Sequence, residues 1–456
     1  MTNVREIILG ILMEYDKDDK KKPSLLKDAL EKVDYLETRD KAFIKRVVEG
    51  CLERQIQIDH IINSFSKTPT NKMQPMIRSI MRMGTYQIMF MDYVPDSAAC
   101  NEAVKLAANH KFQGLKGFVN GVLRNISRNK EKIVYPDKSI DGGAEYLSVY
   151  YSMPKWLCDM WISEYGLEKT EAMLDFFLQP RPTTIRLNQN KVPADREEAL
   201  NKFVRELEEA GVVVKKNSVV PYALDLEKTD NIKYLPGFEE GFFAVQDVSS
   251  MLVAEIAGVT KGCTVVDVCA APGGKSLHAA EKAGKDGRVI SRDVSDRKCE
   301  LITENATRLS ASNIDVGLGD ARLHDSNLED MADVLYLDVP CSGLGIIGRK
   351  NDIKLSVSKK GLEDLSNLQW DIVKASWDYV KKGGIMIYST CTVNKTENQD
   401  MVKKICQELP FEAVDFEEQL PKAMSELCRT AKKGYIQILP GEYGTDGFFI
   451  AKLRRK

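Results

Sequence analysis

Zinc-ligand spacing is missing from this 456-residue chain. Its ten cysteines stand at 51, 100, 158, 263, 269, 299, 341, 391, 406 and 428, with no CxxC pair, and there are only four histidines. Neither a metal site nor the disulfide framework of a small secreted domain is expected, and a reducing cytoplasm is the expected setting. No apolar run reaches the roughly 18 residues that a membrane span needs. The opening MTNVREIILGILMEYDKDDKKK has charges on both sides of a short apolar stretch and no small-residue cleavage site, so it reads as a helix and not as a secretion signal. An excess of one charge is also absent. Lys and Arg total 65 against 67 Asp and Glu, a net of −2, which argues against a surface devoted wholly to nucleic acid but leaves room for a local basic patch. With 43% hydrophobic residues there is ample material for packed cores, and the length suggests about three domains.

Residues 1–130 read as all helix. Val4, Ile7, Ile8, Ile11, Leu12 and Tyr15 share one helical face, and Phe43, Ile44, Val47, Val48, Cys51 and Leu52 repeat the pattern. Pro75 stands at a helix start ahead of Ile77, Ile80 and Met81, Asp96 and Ser97 suit a cap, and Phe118 to Ile126 mark a last helix. Charge is uneven here: 22 basic against 16 acidic residues in 1–130, and 10 against 3 in 61–130. An RNA-facing surface and an ordinary solvated helical face both fit that imbalance. Residues 131–143 read as a linker and 144–240 as a small α+β unit, with TTIRLNQ a strand and 194–210 a charged helix. From 241 onward, TVVDVCA, RVISRD, IDVGLGD, DVLYLDV and IMIYST alternate with helical stretches. Buried parallel strands have this apolar character, so 241–456 is expected to be a doubly wound α/β domain. YIQILP and FFIAKL, separated by GEYGTDG, are expected to close it as an antiparallel pair.

The first of these strands runs through Asp267 into Cys269, Ala270, Ala271, Pro272, Gly273, Gly274 and Lys275. The GxGxxG turn of dinucleotide enzymes is absent. Small residues at alternate positions after an acid instead suit S-adenosylmethionine, whose amino-acid portion needs a flat backbone shelf. Asp293 ends the second strand, where a carboxylate accepts ribose hydroxyls. Asp320 closes the third, where it could accept from an adenine amino group, and Asp338 closes the fourth. Four acids at successive strand ends line the edge where open α/β sheets bind ligands.

Two cysteines fall on the same rim: Cys341 after the fourth strand and Cys391 after the fifth. Transfer of a methyl group to nitrogen or oxygen needs no thiol, and the Asn/Asp-Pro-Pro-aromatic string of amino-group methylation is absent. Carbon 5 of a pyrimidine is a poor nucleophile. A thiolate adding to carbon 6 activates it, which is covalent catalysis splitting one hard step into easier ones. Asp338 is placed to stabilise such an adduct near ring nitrogen 3. The residues alone leave open which cysteine attacks.

CAAPGGK (269–275), Asp293, Asp320, LDVPCSG (337–343) and STCT (389–392), with GFFAVQDVSSML (241–252) and DGFFIAKL (446–453), resemble the RsmB/NOP family of RNA 5-methylcytosine methyltransferases. The first 130 residues, FVNGVLRNI (118–126) above all, resemble the helical RNA-binding NusB. The resemblance implies a NusB-like domain (1–130), a linker (131–143), an RRM-like subdomain (144–240) and a Rossmann-like class I methyltransferase domain (241–456). It implies Cys391 as nucleophile, Cys341 as the thiol that assists adduct release, and 269–275, Asp293, Asp320 and Asp338 as the S-adenosylmethionine site. The implied substrate is a cytosine of 16S rRNA, naked or in an early assembly intermediate, and the chain is expected to act as a monomer without metal or membrane. A segment that is Arg-Arg-x-Pro-Asp-Ile-Lys-aromatic in the family reads GRKNDIKL here (348–355), and Arg349, Lys350 and Lys354 are expected to meet phosphates. Two alternatives remain: the same chemistry on tRNA, and an RNA-binding assembly factor with a vestigial site. The second has no use for Cys341, Cys391 and Asp338.

Overall fold

The computed structural model describes residues 3–17, 22–229 and 231–456. By contact it divides into two units, residues 1–178 with 347–356, and residues 179–346 with 357–456.

The first unit is helical. Val4–Lys17 buries Ile8, Leu9, Ile11, Leu12 and Tyr15, as the apolar spacing requires; positions 1–2 and 18–21 of the expected opening helix lie outside the described residues. Thr38–Glu53 buries Ile44, Val47, Val48, Cys51 and Leu52, and Pro75–Phe90 starts at its proline, where a missing N–H costs no intrahelical bond. These two helices approach so closely that a Cβ on Gly50 would lie 1.9 Å from the Tyr86 ring. Asp96 is not a cap. It sits in the first turn of Asp96–Asn109 and accepts from Ser127 Oγ at 2.8 Å and Lys130 Nζ at 3.0 Å. Among the described residues no helix is long and apolar enough to cross a membrane.

Residues Ile347–Ser356 belong to this helical unit, and they correct one expectation. Lys354 is not available to a phosphate. It is 3% exposed, and its ammonium donates to the carbonyl of Glu53 at 2.5 Å, at the C-terminus of helix Thr38–Glu53. A cation there meets the negative end of the helix dipole. Burial is nonetheless the dominant influence and, with Arg54 acting the same way against the charges of Glu53 and Cys158, lowers the Lys354 pKa to about 7. An unfolded lysine titrates near 10.4, so between pH 7 and 10 the unfolded chain binds more protons and stability rises with pH. Wild type should therefore gain stability relative to Lys354→Met across that window, by at most about 1.4 kcal/mol per pH unit. Denaturant unfolding at pH 7, 8.5 and 10 checks this, and parallel pH dependences of the two proteins would contradict it.

The second unit holds two sheets. The smaller contains β1 (Thr183–Leu187), β2 (Val213–Lys216), β3 (Ala223–Glu227) and β4 (Phe243–Val245), in the antiparallel order β2-β3-β1-β4. The amphipathic helix Glu197–Glu209 packs Leu200, Phe203 and Leu207 into a core with Ile185, Leu187, Leu224 and Phe243. Arg186 of β1, 2% exposed, donates to Gln246 Oε1 at 2.8 Å and Glu281 Oε2 at 2.5 Å. That tie fixes the small sheet to the larger one.

The larger sheet contains β5 (Thr264–Asp267), β6 (Arg288–Asp293), β7 (Ile314–Leu318), β8 (Ala332–Asp338), β9 (Val380–Thr390), β10 (Phe411–Ala413), β11 (Tyr435–Ile438) and β12 (Phe448–Arg455). Its order is β10-β12-β9-β8-β5-β6-β7, with β11 also paired to β12. The five strands β7-β6-β5-β8-β9 run parallel, and β12 returns antiparallel to both β9 and β11. The apolar runs of β5, β6, β8 and β9 are buried among helices that include Gly274–Ala283 and Lys359–Ser376, while β7 at the sheet edge is only partly covered, by Asp296–Leu309. This is the Rossmann-like architecture read from the sequence, with the expected antiparallel closing pair.

Candidate active site

Pairing register decides what the sheet edge presents. Asp338 at the end of β8 lies opposite Ser389 near the end of β9, and Ser389 Oγ donates to Asp338 Oδ1 at 2.8 Å. The loops that follow therefore start side by side. Gly345 N–H donates to the Cys391 carbonyl at 3.0 Å, and the sulfurs of Cys341 and Cys391 come to 3.3 Å of each other. Both residues are partly buried. The hydrogen bond to Cys391 is the main cause that pushes the Cys341 thiol well above its ordinary pKa; burial and the charges of Cys391 and Glu397 add to it.

A cavity of about 260 Å³ opens beside this pair, lined by Asp267, Cys269 to Pro272, Gly274, Lys275, Asp338 and Cys391. Val245 to Asp247, Ser249, Ser250, Asp446 and Phe448 also line it, and an ion pair from Arg181 holds Asp446. Lys275 Nζ donates to Asp338 Oδ2 at 2.7 Å and lies 5.1 Å from the centre of the Phe448 ring. Burial works against the Lys275 ammonium, but the charge and hydrogen bond of Asp338, with Cys391 and Asp267 behind them, outweigh it and raise its pKa. Asp267 is 1% exposed. Ser276 Oγ donates to its Oδ2 at 2.6 Å while Oδ1 has no hydrogen-bond partner, and burial above all, with the nearby Asp338 charge, raises its pKa to about 7.

The remaining expected residues fall around this core. Asp293 does not line the cavity but braces its floor: Oδ2 accepts from the Ala271 N–H at 2.9 Å, and Oδ1 accepts from Val294 N–H at 2.7 Å and Lys298 Nζ at 2.9 Å. Asp320 sits beyond β7, outside the cavity, where hydrogen bonds from Arg322 hold its carboxyl down at about 2. Val294 and Leu323, beside these two acids in the chain, are 55% and 69% exposed. Gly273 caps helix Gly274–Ala283 at φ 101°, a left-handed conformation that favours glycine, and a Cβ there would press on Ile302 and Leu277 at 3.3 Å. A side-chain-free turn, a helix N-terminus, a half-satisfied buried carboxylate and exposed aliphatic surface near two further acids together fit S-adenosylmethionine.

Some functional candidates carried no readable signal. Glu397, fully buried, accepts from both the backbone and the hydroxyl of Ser342. Gln369 comes from a helix far along the chain and donates to Glu397 Oε2 at 2.9 Å. Away from the cavity, His324, Glu329 and Asp378 bring possible ligand atoms within 4.8 Å of one another. Both ring nitrogens of His324 are already engaged, by Ala375 O at 3.0 Å and Glu329 Oε1 at 2.8 Å, and no metal role is drawn from them.

Comparison with known proteins agrees with this architecture. Residues 257–454 match the family 16S rRNA methyltransferase RsmB/F, residues 2–128 the NusB family, and residues 153–233 the RsmF/B-like ferredoxin-like domain. A probable ribosomal RNA small subunit methyltransferase B of Bacillus subtilis is 36% identical over 458 residues, covering 100% of this chain and 99% of the relative. The ribosomal RNA small subunit methyltransferase B of Escherichia fergusonii is 32% identical over 92% of this chain and 91% of its own. The fold is shared with the crystal structure of PH0851 (TM-score 0.78, 23% identity, 100% of this chain and 99% of that one). It is shared also with NSun6 from Pyrococcus horikoshii, solved with SFG (TM-score 0.55, 20% identity, 66% of this chain and 98% of that one). With its helical, ferredoxin-like and Rossmann-like parts all matched, the chain belongs to the RsmB/F family of 16S rRNA methyltransferases.

Proposed function

We propose that this chain methylates carbon 5 of a cytosine in 16S rRNA through a covalent adduct on Cys391. The observation that carries the reading is the pair of thiols 3.3 Å apart at a cavity that also holds Lys275 and Asp338. Methyl transfer to nitrogen or oxygen would use neither sulfur. The Cys391 thiolate adds to carbon 6, and Asp338, with Lys275 beside it, stabilises the ring as charge moves toward nitrogen 3. Bound S-adenosylmethionine supplies the electrophilic methyl sulfonium that the activated carbon 5 attacks. Loss of the carbon 5 proton to water then re-forms the double bond and expels Cys391 as a thiolate, with the Cys341 thiol 3.3 Å away to donate a hydrogen bond to the departing sulfur. In this reading 269–275 cradle the amino-acid portion of the methyl donor, Asp293 accepts from its ribose hydroxyls, and Asp320 accepts from its adenine amino group.

RNA engagement is assigned to the helical unit. Of its ten basic residues in 61–130, Arg78, Arg82 and Lys130 are spent on Asp16, Asp59 and Asp96. Lys67, Lys72, Lys105, Lys111, Lys116, Arg124 and Arg128 are exposed. On helix Lys116–Arg128 the residues Lys116, Asn120, Arg124 and Arg128 follow at four-residue intervals, one stripe along the surface. A target base paired in a stem is out of reach of such chemistry, so it must lie in a loop or be flipped out.

Incubation with labelled S-adenosylmethionine and unmodified 16S rRNA, followed by mapping of the product, tests the chemistry. Label on carbon 5 of one cytosine is expected, abolished by Cys391→Ala. Cys341→Ala should accumulate a denaturation-resistant protein–RNA adduct instead. Label on a nitrogen or a ribose, or full activity of Cys391→Ala, would contradict the reading. For the stripe, the combined variant Lys116→Glu, Arg124→Glu, Arg128→Glu should bind rRNA at least tenfold more weakly, with a salt dependence flattened by up to about 0.9 per lost phosphate contact. Unchanged rRNA affinity across a salt titration would move the RNA surface elsewhere.

A further inference from the structure

One buried carboxylate joins the two cysteine loops, and the proposed chemistry leaves it without a role. Glu397 is 0% exposed. Its Oε2 accepts from the backbone N–H of Ser342 at 2.9 Å and from Gln369 Nε2 at 2.9 Å. Its Oε1 accepts from Ser342 Oγ at 2.5 Å and from Asn394 Nδ2 at 3.0 Å. Ser342 follows Cys341, and its hydroxyl lies 2.7 Å from that of Thr392, which follows Cys391. The carbonyl of Glu397 in turn accepts from Tyr388 OH at 2.7 Å, on the strand that leads into Cys391. All its donors are neutral, and among the described residues no lysine or arginine pairs with it. Two donors converge on each of its oxygens, an arrangement that a carboxylate accepts and that neither an apolar nor an amide side chain could satisfy.

The groups around the sulfurs are charged unequally. Lys275 lines the cavity together with Cys391, which Cys341 does not, and its ammonium donates to Asp338 at 2.7 Å. Cys341 lies 3.3 Å from Cys391, and the next residue, Ser342, is held by Glu397 through both its N–H and its hydroxyl. We infer that Glu397 is a positioning residue that assigns the two sulfurs their roles: it fixes the loops at contact distance and, by its charge, keeps Cys341 the protonated partner, so that the thiolate resides on Cys391 beside Lys275. This rests on the covalent reading above and deepens it. It also gives a physical reason for the choice of nucleophile that the spacing of the cysteines does not contain. Cys391 then leaves carbon 6 as the thiolate it is at rest, with the Cys341 S–H, 3.3 Å away, donating a hydrogen bond to it.

Competitive alkylation of the full-length protein tests this without RNA or methyl donor. Trace iodoacetamide is applied from pH 6 to 9, and the labelled Cys341 and Cys391 peptides are counted by mass spectrometry. In wild type Cys391 should react at least tenfold faster than Cys341 through pH 8. Glu397→Gln, which keeps the shape and removes the charge, should bring the ratio within threefold and move the onset of Cys341 alkylation to lower pH. Glu397→Asp, which keeps the charge, should retain the wild-type order. An unchanged ratio and onset in Glu397→Gln would overturn the inference, and so would the same collapse in Glu397→Asp as in Glu397→Gln. If Glu397→Gln does not fold, Ser342→Ala carries the test: loss of the hydroxyl bridge should shift the ratio at least threefold, and no shift would overturn it. Because alkylation needs no substrate, failure here is distinct from failure to find methylated carbon 5.

Discussion

The parallel pairing of β8 with β9 is the constraint on which the site depends. A register that sets Asp338 opposite Ser389 delivers two loops to one spot on the sheet edge. Slipping that pairing by one residue would turn every side chain of one strand to the opposite face. β12, antiparallel to β9 and opposite Thr390 at Phe449, closes the other flank. The Gly447 N–H that precedes it donates to the Gly345 carbonyl at 2.9 Å, and Gly345 in turn holds the carbonyl of Cys391. A Cβ on Gly345 would lie 2.1 Å from the Gly447 carbonyl oxygen, so three chain segments meet there only because no side chain intervenes. The contact between the thiols follows from this convergence of backbone.

The same edge concentrates charge. Asp267 and Asp338 share the neighbourhood of a single lysine, and burial leaves Asp267 titrating near 7. Carboxylates with spare acceptor capacity beside a bare backbone turn suit a cationic donor such as S-adenosylmethionine. On the Cys341 side the buried carboxyl of Glu397 instead holds Ser342 through its backbone N–H and its hydroxyl. Two identical side chains thus stand in different surroundings, the asymmetry on which the proposed division between nucleophile and protonated partner rests.

The sheet was legible because buried parallel strands write themselves as unbroken apolar runs, and the acids and cysteines that end them fall on one edge by topology alone. Asp338, Cys341, Cys391 and the 269–275 turn meet there. Long-range partners were not legible. Glu397 works through Ser342, 55 residues away in the chain, and Gln369 through a helix between them. Neither has a local pattern to announce it. Lys354 misled because a lysine in a basic, polar string reads as a surface charge, whereas tertiary packing buried its stem and turned its ammonium to a helix terminus. Asp96 misled for a related reason: a capping residue type was recruited by Ser127 and Lys130, more than thirty residues on.

The most direct test of the central claim uses 16S rRNA transcribed with 5-fluorocytidine, whose carbon 5 cannot lose a proton. With S-adenosylmethionine present, a denaturation-resistant adduct should form, and digestion should locate the nucleotide on the peptide containing Cys391. A nucleotide on Cys341, or no adduct from an enzyme that methylates ordinary rRNA, would contradict the account.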